Sequence, residues 1–271
     1  MSQLYDRVAL IGLGLIAGSM GHAMKRHGLV GEIVGHAPNP ETRAAALEVG
    51  FIDRACATAA EAVAGADLVV LATPVGVMGD VAAEIGPHLA PGATLTDVGS
   101  VKQAVISAVG PHVQKDVHFI PGHPLAGTEH SGPRSGFSSL FVNRWWLFTP
   151  LPDTDAAALD RMRRLCAAMG ANVDEMEPAH HDLVLAVVSH TPHLIAYTMV
   201  GVADHLRRVS QSEVVKYSAS GFRDFTRIAA SDPVMWRDVF LTNKEATLDI
   251  LGRFTEELFV PPRAIRMGDG A

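Results

Sequence analysis

The chain has 271 residues, 48% of them apolar and 19% charged, a balance that suits a globular protein with a full core and argues against disorder. Lys and Arg total 22 against 29 Asp and Glu, a net charge of −7; with no basic excess or stripe, a nucleic-acid partner is not expected. Cys56 and Cys166 lie far apart and fit no metal-ligand spacing, so they read as reduced cytoplasmic thiols, and no metal is expected.

In chain order, residues 7–11 and 32–35 predict the first two strands, and further apolar runs follow at 66–72, 93–98, 117–120, 145–149 and 171–176. Between the early strands, the Ala-rich stretches 41–49 and 77–85 have helical periodicity. Strands alternating with helices predict βαβ units, a parallel sheet and right-handed crossovers. From Pro178 onward the strand-like runs stop. Helices are expected over 179–206, 211–219 and 233–259, with Pro178 suited to a first helical turn. The tail after Leu258, with Pro261, Pro262 and a Gly-rich end, is expected to be loosely held. Between Asp182 and Asp204 no charged residue occurs, a stretch long enough to span a bilayer. His190, Thr191, Pro192 and His193 sit in its middle, so a buried helix of a soluble protein is expected instead, with no membrane partner.

Directly after the first strand comes Gly12-Leu13-Gly14-Leu15-Ile16-Ala17, which opens a helix and matches G-x-G-x-x-A. Gly12 permits the tight turn, Gly14 lets backbone approach a pyrophosphate, and Ala17 allows close helix–strand packing. Leu15 and Ile16 begin the helix whose free N–H groups and dipole favour phosphates. Strand before and helix after point to dinucleotide binding. The fold expected is therefore α/β: a Rossmann-type, doubly wound, mostly parallel sheet over 1–177, then an all-α domain over 178–271. At the end of the second strand, where NAD sites usually carry an acid, His36 is followed by Ala37-Pro38-Asn39, with no carboxylate. Arg43 lies close enough in sequence to pair a 2′-phosphate, or is a solvated helix residue; NADP or relaxed choice is favoured over strict NAD. Two more loops leave strand ends where such sheets bind ligands: Ala72-Thr73-Pro74-Val75 and Asp97-Val98-Gly99-Ser100-Val101-Lys102. Thr73 and Pro74 are cofactor candidates. Ser100 either bonds substrate or nicotinamide, or caps the next helix.

Three further motifs carry chemistry. In Gly122-His123-Pro124-Leu125-Ala126-Gly127-Thr128-Glu129, a loop histidine beside a nicotinamide site is a candidate general base. His181-Asp182 precedes Ser189-His190-Thr191-Pro192-His193, and Asp182 and His193, eleven residues or about three helical turns apart, are expected near one face. Gly221-Phe222-Arg223-Asp224-Phe225-Thr226-Arg227-Ile228 places two arginines four apart, where a helix would let them clamp a carboxylate. Plainer readings exist for several of these. His190 and His193 fit a core role, Arg227 an interdomain salt bridge, Glu129 a solvated surface, and Trp145-Trp146 a core or interface. His180 and His181 are expected to face solvent near a helix start.

Taken in order, these motifs resemble the prephenate/arogenate dehydrogenase family of tyrosine biosynthesis, from Val8 to about Leu258. The resemblance implies an NAD(P)-dependent oxidative decarboxylation of prephenate or arogenate, with His123 taking the ring-hydroxyl proton and Ser100 orienting the hydroxyl and nicotinamide. It places His193 in the substrate pocket, Arg227 on a substrate carboxylate, and Thr128 among the substrate-binding residues. Glu129, Asp182 and Arg223 match positions tied to polar gating, with Arg223 in place of a lysine common in relatives. It also implies a homodimer through the helical domain. No domain-sized segment is seen before Val8 or after Leu258, so no fused mutase or regulatory domain is expected. Rival readings are another two-domain oxidoreductase, of the 3-hydroxyacid or pyrroline-5-carboxylate type, and a non-catalytic NADPH-binding sensor. Preference between prephenate and arogenate stays open.

Overall fold

The first apolar run forms β1 (Tyr5–Ile11), in which Val8, Ala9, Leu10 and Ile11 are all buried. A strand buried on both faces needs helices above and below, as parallel sheets have. The computed structural model, which describes residues 3–210 and 216–268, shows that arrangement. β2 (Val30–His36), β3 (Arg54–Ala55), β4 (Leu68–Leu71), β5 (Thr94–Asp97) and β6 (His118–Ile120) join β1 in the order β3-β2-β1-β4-β5-β6. All five pairings are parallel. The crossovers carry α1 (Leu15–Arg26), α2 (Pro40–Val49), α3 (Ala59–Val63), α4 (Met78–Ile85) and α5 (Gln103–Val109). Alternation along β1 splits the core in two. Val8 and Leu10 pack with Met20, Met24, Ile33 and Phe51, whereas Ala9 and Ile11 pack with Val69, Leu71, Met78 and Leu95.

A second sheet follows: β7 (Gly122–Pro124) antiparallel to β8 (Trp145–Phe148), and β8 parallel to β9 (Asn172–Glu175). α6 (Ala156–Ala168), capped by Asp155, buries Leu159, Met162, Leu165 and Cys166 at helical spacing. The remaining elements are helical. α7 (Pro178–Leu185) runs through a π-helical segment, Ala186–His190, into α8 (Thr191–Ser210). α9 (Ser220–Thr226) passes into a 3-10 turn at Arg227–Ala230, and α10 (Pro233–Thr242), α11 (Lys244–Leu258) and α12 (Val260–Met267) complete the chain. The chain divides into two compact units, Met1–His181 and Asp182–Ala271.

Several expectations change. β3 and β7 carry no hydrophobic pattern and were not foreseen; β7, expected as loop, gains its order from pairing with apolar β8. The helix expected over 211–219 falls partly outside the described residues, and residues 216–219 form a turn rather than a helix. The stretch 233–259 breaks at Asn243, whose backbone leaves the helical region (φ −111°, ψ 38°). Its side chain offsets the break: Asn243 Nδ2 donates to the Asp182 carbonyl at 2.8 Å and lies 3.0 Å from His190 Nδ1. The tail expected to be loose contains α12. Pro178–Leu206 is long and apolar enough to cross a membrane, yet only 28% of its most apolar window is buried in this chain, not the buried helix expected.

Candidate active site

In a 3-2-1-4-5-6 sheet the strand order reverses between β1 and β4, and ligands bind in the crevice outside the strand ends there. Gly12 turns the chain at that point with φ +94°, and a Cβ on it would lie 2.5 Å from the Ala72 carbonyl oxygen. The β1–α1 turn is thus packed directly on the loop after β4. Around a Cβ on Gly14, by contrast, 4 Å of space is open. Gly14 is the N-cap of α1, no side chain caps that end, and Ala17 is fully buried beneath it. Across the crevice the buried Thr73 Oγ1 has no hydrogen-bond partner, and exposed Pro74 leads into the turn before α4. An uncapped helix start, open space at Gly14 and an orphaned hydroxyl fit the phosphates and polar groups of a dinucleotide.

At the adenosine side, His36 ends β2 with Nδ1 3.1 Å from the Cys56 carbonyl. Arg43 is half-buried, and its Nη1 donates to the carbonyls of Ala37 (2.6 Å) and Pro38 (3.0 Å), holding the loop after β2.

Ser100 is half-buried in the loop after β5. α5 starts only at Gln103 and has no side-chain cap, so Ser100 is not a capping residue. Flanking it is a buried ion pair. Asp97 and Lys102 are both 0% exposed and joined through Oδ2 and Nζ. Asp97 Oδ2 also accepts from Gly99 N at 2.8 Å, and Oδ1 from Gly122 N at 3.2 Å. Lys102 Nζ donates to the Gly122 carbonyl at 2.6 Å.

His123, the middle residue of β7, is 7% exposed. Its Nδ1 lies 2.9 Å from Nε2 of His181, and the rings meet edge-on with centroids 5.1 Å apart. This corrects the expectation for His181, which is 0% exposed and faces β7 rather than solvent. The cause is the helix start: Glu177 accepts from His180 N and Pro178 opens α7, a phase that exposes His180 and turns His181 inward. The histidine pair in the sequence gave no sign of which ring was buried. Thr128 and Glu129 lie in the exposed loop after β7. Thr128 Oγ1 accepts from His130 N at 3.2 Å, and the Glu129 carboxylate is 3.9 Å from His130 Nε2.

Within the second unit, Asp182 and His190 are fully buried and His193 is half-buried. The π-helical segment between Asp182 and His193 adds about one residue to a turn, so the shared helical face expected of them is not kept. His193 Nδ1 lies 2.9 Å from the Ser189 carbonyl, a bond that makes it the donor and leaves Nε2 as an acceptor. The ring stacks on Trp236 with centroids 3.6 Å apart. Burial pushes His193 below the ordinary imidazole value; the Ser189 carbonyl opposes this, and the charge of Arg227 adds to the lowering. Arg223 and Arg227 are exposed; α9 ends at Thr226, and Arg227, itself helical in backbone (φ −53°, ψ −40°), caps it and opens the 3-10 turn. Trp236 goes unnoticed in the sequence, and Asp97 and Lys102 receive no role there although both stand in the quoted Asp-Val-Gly-Ser-Val-Lys motif.

Residues 20–175 match the family described as prephenate dehydrogenase, nucleotide-binding domain, and residues 177–270 match prephenate dehydrogenase, dimerization domain. The chain belongs to the prephenate dehydrogenase family. Its members are oxidoreductases that use a nicotinamide dinucleotide, and so is this protein. It is 37% identical to the cyclohexadienyl dehydrogenase of Zymomonas mobilis over 98% of this chain and 91% of that one. The crystal structure of A. aeolicus prephenate dehydrogenase in complex with hydroxyphenyl propionate and NAD+ superposes with a TM-score of 0.90 at 34% identity, covering 100% of this chain and 93% of that one. The Synechocystis arogenate dehydrogenase structure gives 0.79 at 27% identity, covering 97% and 93%. Membership of this family sets aside the 3-hydroxyacid and pyrroline-5-carboxylate readings.

Proposed function

We propose that the protein catalyses NAD(P)-dependent oxidative decarboxylation of prephenate or arogenate, giving 4-hydroxyphenylpyruvate or tyrosine, with His123 as general base. The observation that carries the reading is His123 itself: nearly buried, on a strand, with one ring nitrogen committed to His181. A single hydrogen fits between His123 Nδ1 and His181 Nε2. When His123 supplies it, Nε2 is the unprotonated, basic nitrogen; in the reverse arrangement Nε2 carries hydrogen and cannot act as base. NAD(P)+, when bound, supplies the hydride acceptor for the carbinol carbon. His123 removes the hydroxyl proton as that hydride leaves, producing a dienone. Loss of the ring carboxylate as CO2 then leaves its electron pair in the ring, which becomes a phenolate, and the proton on His123 matches the one the phenolate oxygen requires.

Other residues bind and orient. Gly12, Gly14, Leu15, Ile16 and Ala17 would hold the pyrophosphate, Thr73, Pro74 and Ser100 would flank the nicotinamide, and His36 and Arg43 would border the adenosine ribose. NADP or relaxed choice is favoured because the end of β2 has no carboxylate to repel a 2′-phosphate and Arg43, held at that loop, brings a positive charge beside it. To substrate we assign His193 as an acceptor, Arg227 to a carboxylate, and Thr128, Glu129, Asp182 and Arg223 to the polar surroundings that discriminate keto from ammonium. The boundary is that of the sequence, with residues 1–177 for the nucleotide together with the base His123 and the loop of Thr128 and Glu129, and 178–271 for the other substrate residues and dimerisation.

Initial rates at 340 nm with all four pairings of prephenate or arogenate and NAD+ or NADP+ test this. Turnover is expected in at least one pairing, with NADP+ accepted. Silence in all four overturns the reaction and favours the sensor; strict NAD+ use overturns the role given to Arg43.

The exposed apolar side chains Val187, Val188, Met199, Val202 and Leu206 fit a homodimer made through the helical part, whose family description is a dimerization domain. Such burial accounts for the apolar helix without a membrane, and the two buried free thiols suit the cytoplasm. Sedimentation should give twice the chain mass; a monomer at micromolar concentration overturns this assignment.

A further inference from the structure

A buried ion pair seldom improves stability over apolar residues of the same volume, because desolvating both charges offsets their attraction. The Asp97–Lys102 pair therefore calls for a geometric reason, and its partners supply one. Asp97 holds the N–H of Gly99, the residue before Ser100. It also holds the N–H of Gly122, the residue before His123, and Lys102 holds the carbonyl of that same Gly122. Both carboxylate oxygens and the ammonium are thus spent on the backbone preceding two residues assigned to the reaction. A Cβ on Gly122 would lie 3.0 Å from Trp146 Nε1 and 3.2 Å from the Asp97 carbonyl oxygen, and one on Gly99 would lie 3.0 Å from Asp97 Oδ2. Neither segment has slack. We propose that the Asp97–Lys102 pair is a positioning element that locks the end of β5 to β7 and thereby sets Ser100 relative to His123.

This rests on the functions given above to His123 and Ser100. Neither Asp97 nor Lys102 reaches solvent, so neither meets substrate, and both act through the residues they hold. A displacement of about 1 Å at a reacting group can cost a hundredfold in rate without changing what binds. The loss should appear in kcat, not in KM or in dinucleotide affinity, since the glycine turn after β1 is built separately.

The test is the double variant Asp97→Asn/Lys102→Met, which removes both charges at nearly constant volume. Its expected behaviour is an NAD(P)+ dissociation constant close to wild type and a melting temperature lowered modestly by the Gly99 and Gly122 groups left without partners, with kcat lowered about tenfold to a hundredfold. The primary isotope effect with substrate deuterated at the carbinol carbon should rise as hydride transfer becomes limiting. A folded double variant with wild-type kcat overturns the proposal. So does a fall in kcat matched by equal losses in thermal stability and NAD(P)+ affinity, which marks a purely structural pair. Should the double variant not fold, Gly122→Ala pushes β7 outward by a few tenths of an ångström with both charges in place. It should lose kcat while still binding NAD(P)+, and full turnover there also overturns the proposal. A wild-type enzyme silent with both substrates overturns the functional reading and this one with it; an active wild type beside an unimpaired double variant overturns the positioning role alone.

Discussion

Replacing His123 with asparagine should lower kcat by about 10²- to 10⁴-fold, the usual worth of a positioned general base, while substrate and dinucleotide still bind. Asparagine keeps a hydrogen-bonding side chain on β7 but has no atom that can take up the hydroxyl proton near neutral pH. His181 gives the companion measurement. His181→Leu removes the ring nitrogen 2.9 Å from His123 Nδ1, the acceptor in the arrangement that leaves His123 Nε2 basic, and should cost about tenfold to a hundredfold in kcat, as loss of an orienting partner commonly does. His181→Gln retains an acceptor oxygen and should recover part of that loss. Wild-type turnover of His123→Asn at every pH would exclude the imidazole as base; equal rates for the two His181 variants would show that the contact only fills space.

The nucleotide-binding half was legible because β1 and β4 at the centre of its large sheet are local apolar runs and helix-like stretches alternate with the strands. Val8 to Ile11 are buried on both faces, and their hydrophobicity is continuous in the sequence for that reason. The glycines were legible on similar grounds, since a strand, a tight turn and a helix follow one another within a few residues. What could not be read was anything decided by a distant partner. Gly122-His123-Pro124 has no periodicity, and becomes a strand only because Trp146 and Leu147 of β8 lie opposite. His181 and His180 are identical residues whose fates diverge through the phase of one helical turn. Asp97 and Lys102 have no local signal of their pairing, which follows from the fold placing Gly122 against both. In the helical half, element type was plain from composition, but the break at Asn243 and the π-helical segment at Ala186–His190 answer to side-chain contacts within that unit.

Two substitutions only two residues apart should separate folding from cofactor binding. Gly12→Ala is expected to damage both. Its φ of +94° is strained for any side chain, at about 1–3 kcal/mol, and the new Cβ would lie 2.5 Å from the Ala72 carbonyl oxygen, a contact backbone can relieve only by moving. The loop carrying Thr73 and Pro74 would have to shift away from β1, opening the crevice at the point where the strand order reverses. Thermal denaturation should show a clear drop in melting temperature, and NAD(P)+ affinity should fall about tenfold for each 1.4 kcal/mol of binding lost. Gly14→Ala meets no neighbour in the protein, because nothing lies within 4 Å of its Cβ, and its φ of −92° suits alanine. Its melting temperature without cofactor should match wild type, yet its Cβ would occupy the space through which a pyrophosphate approaches the start of α1. Affinity for NAD(P)+ should therefore fall with no loss of stability. Gly14→Ala binding NAD(P)+ as tightly as wild type would move the phosphates away from this turn, and with them the functional reason for Gly14.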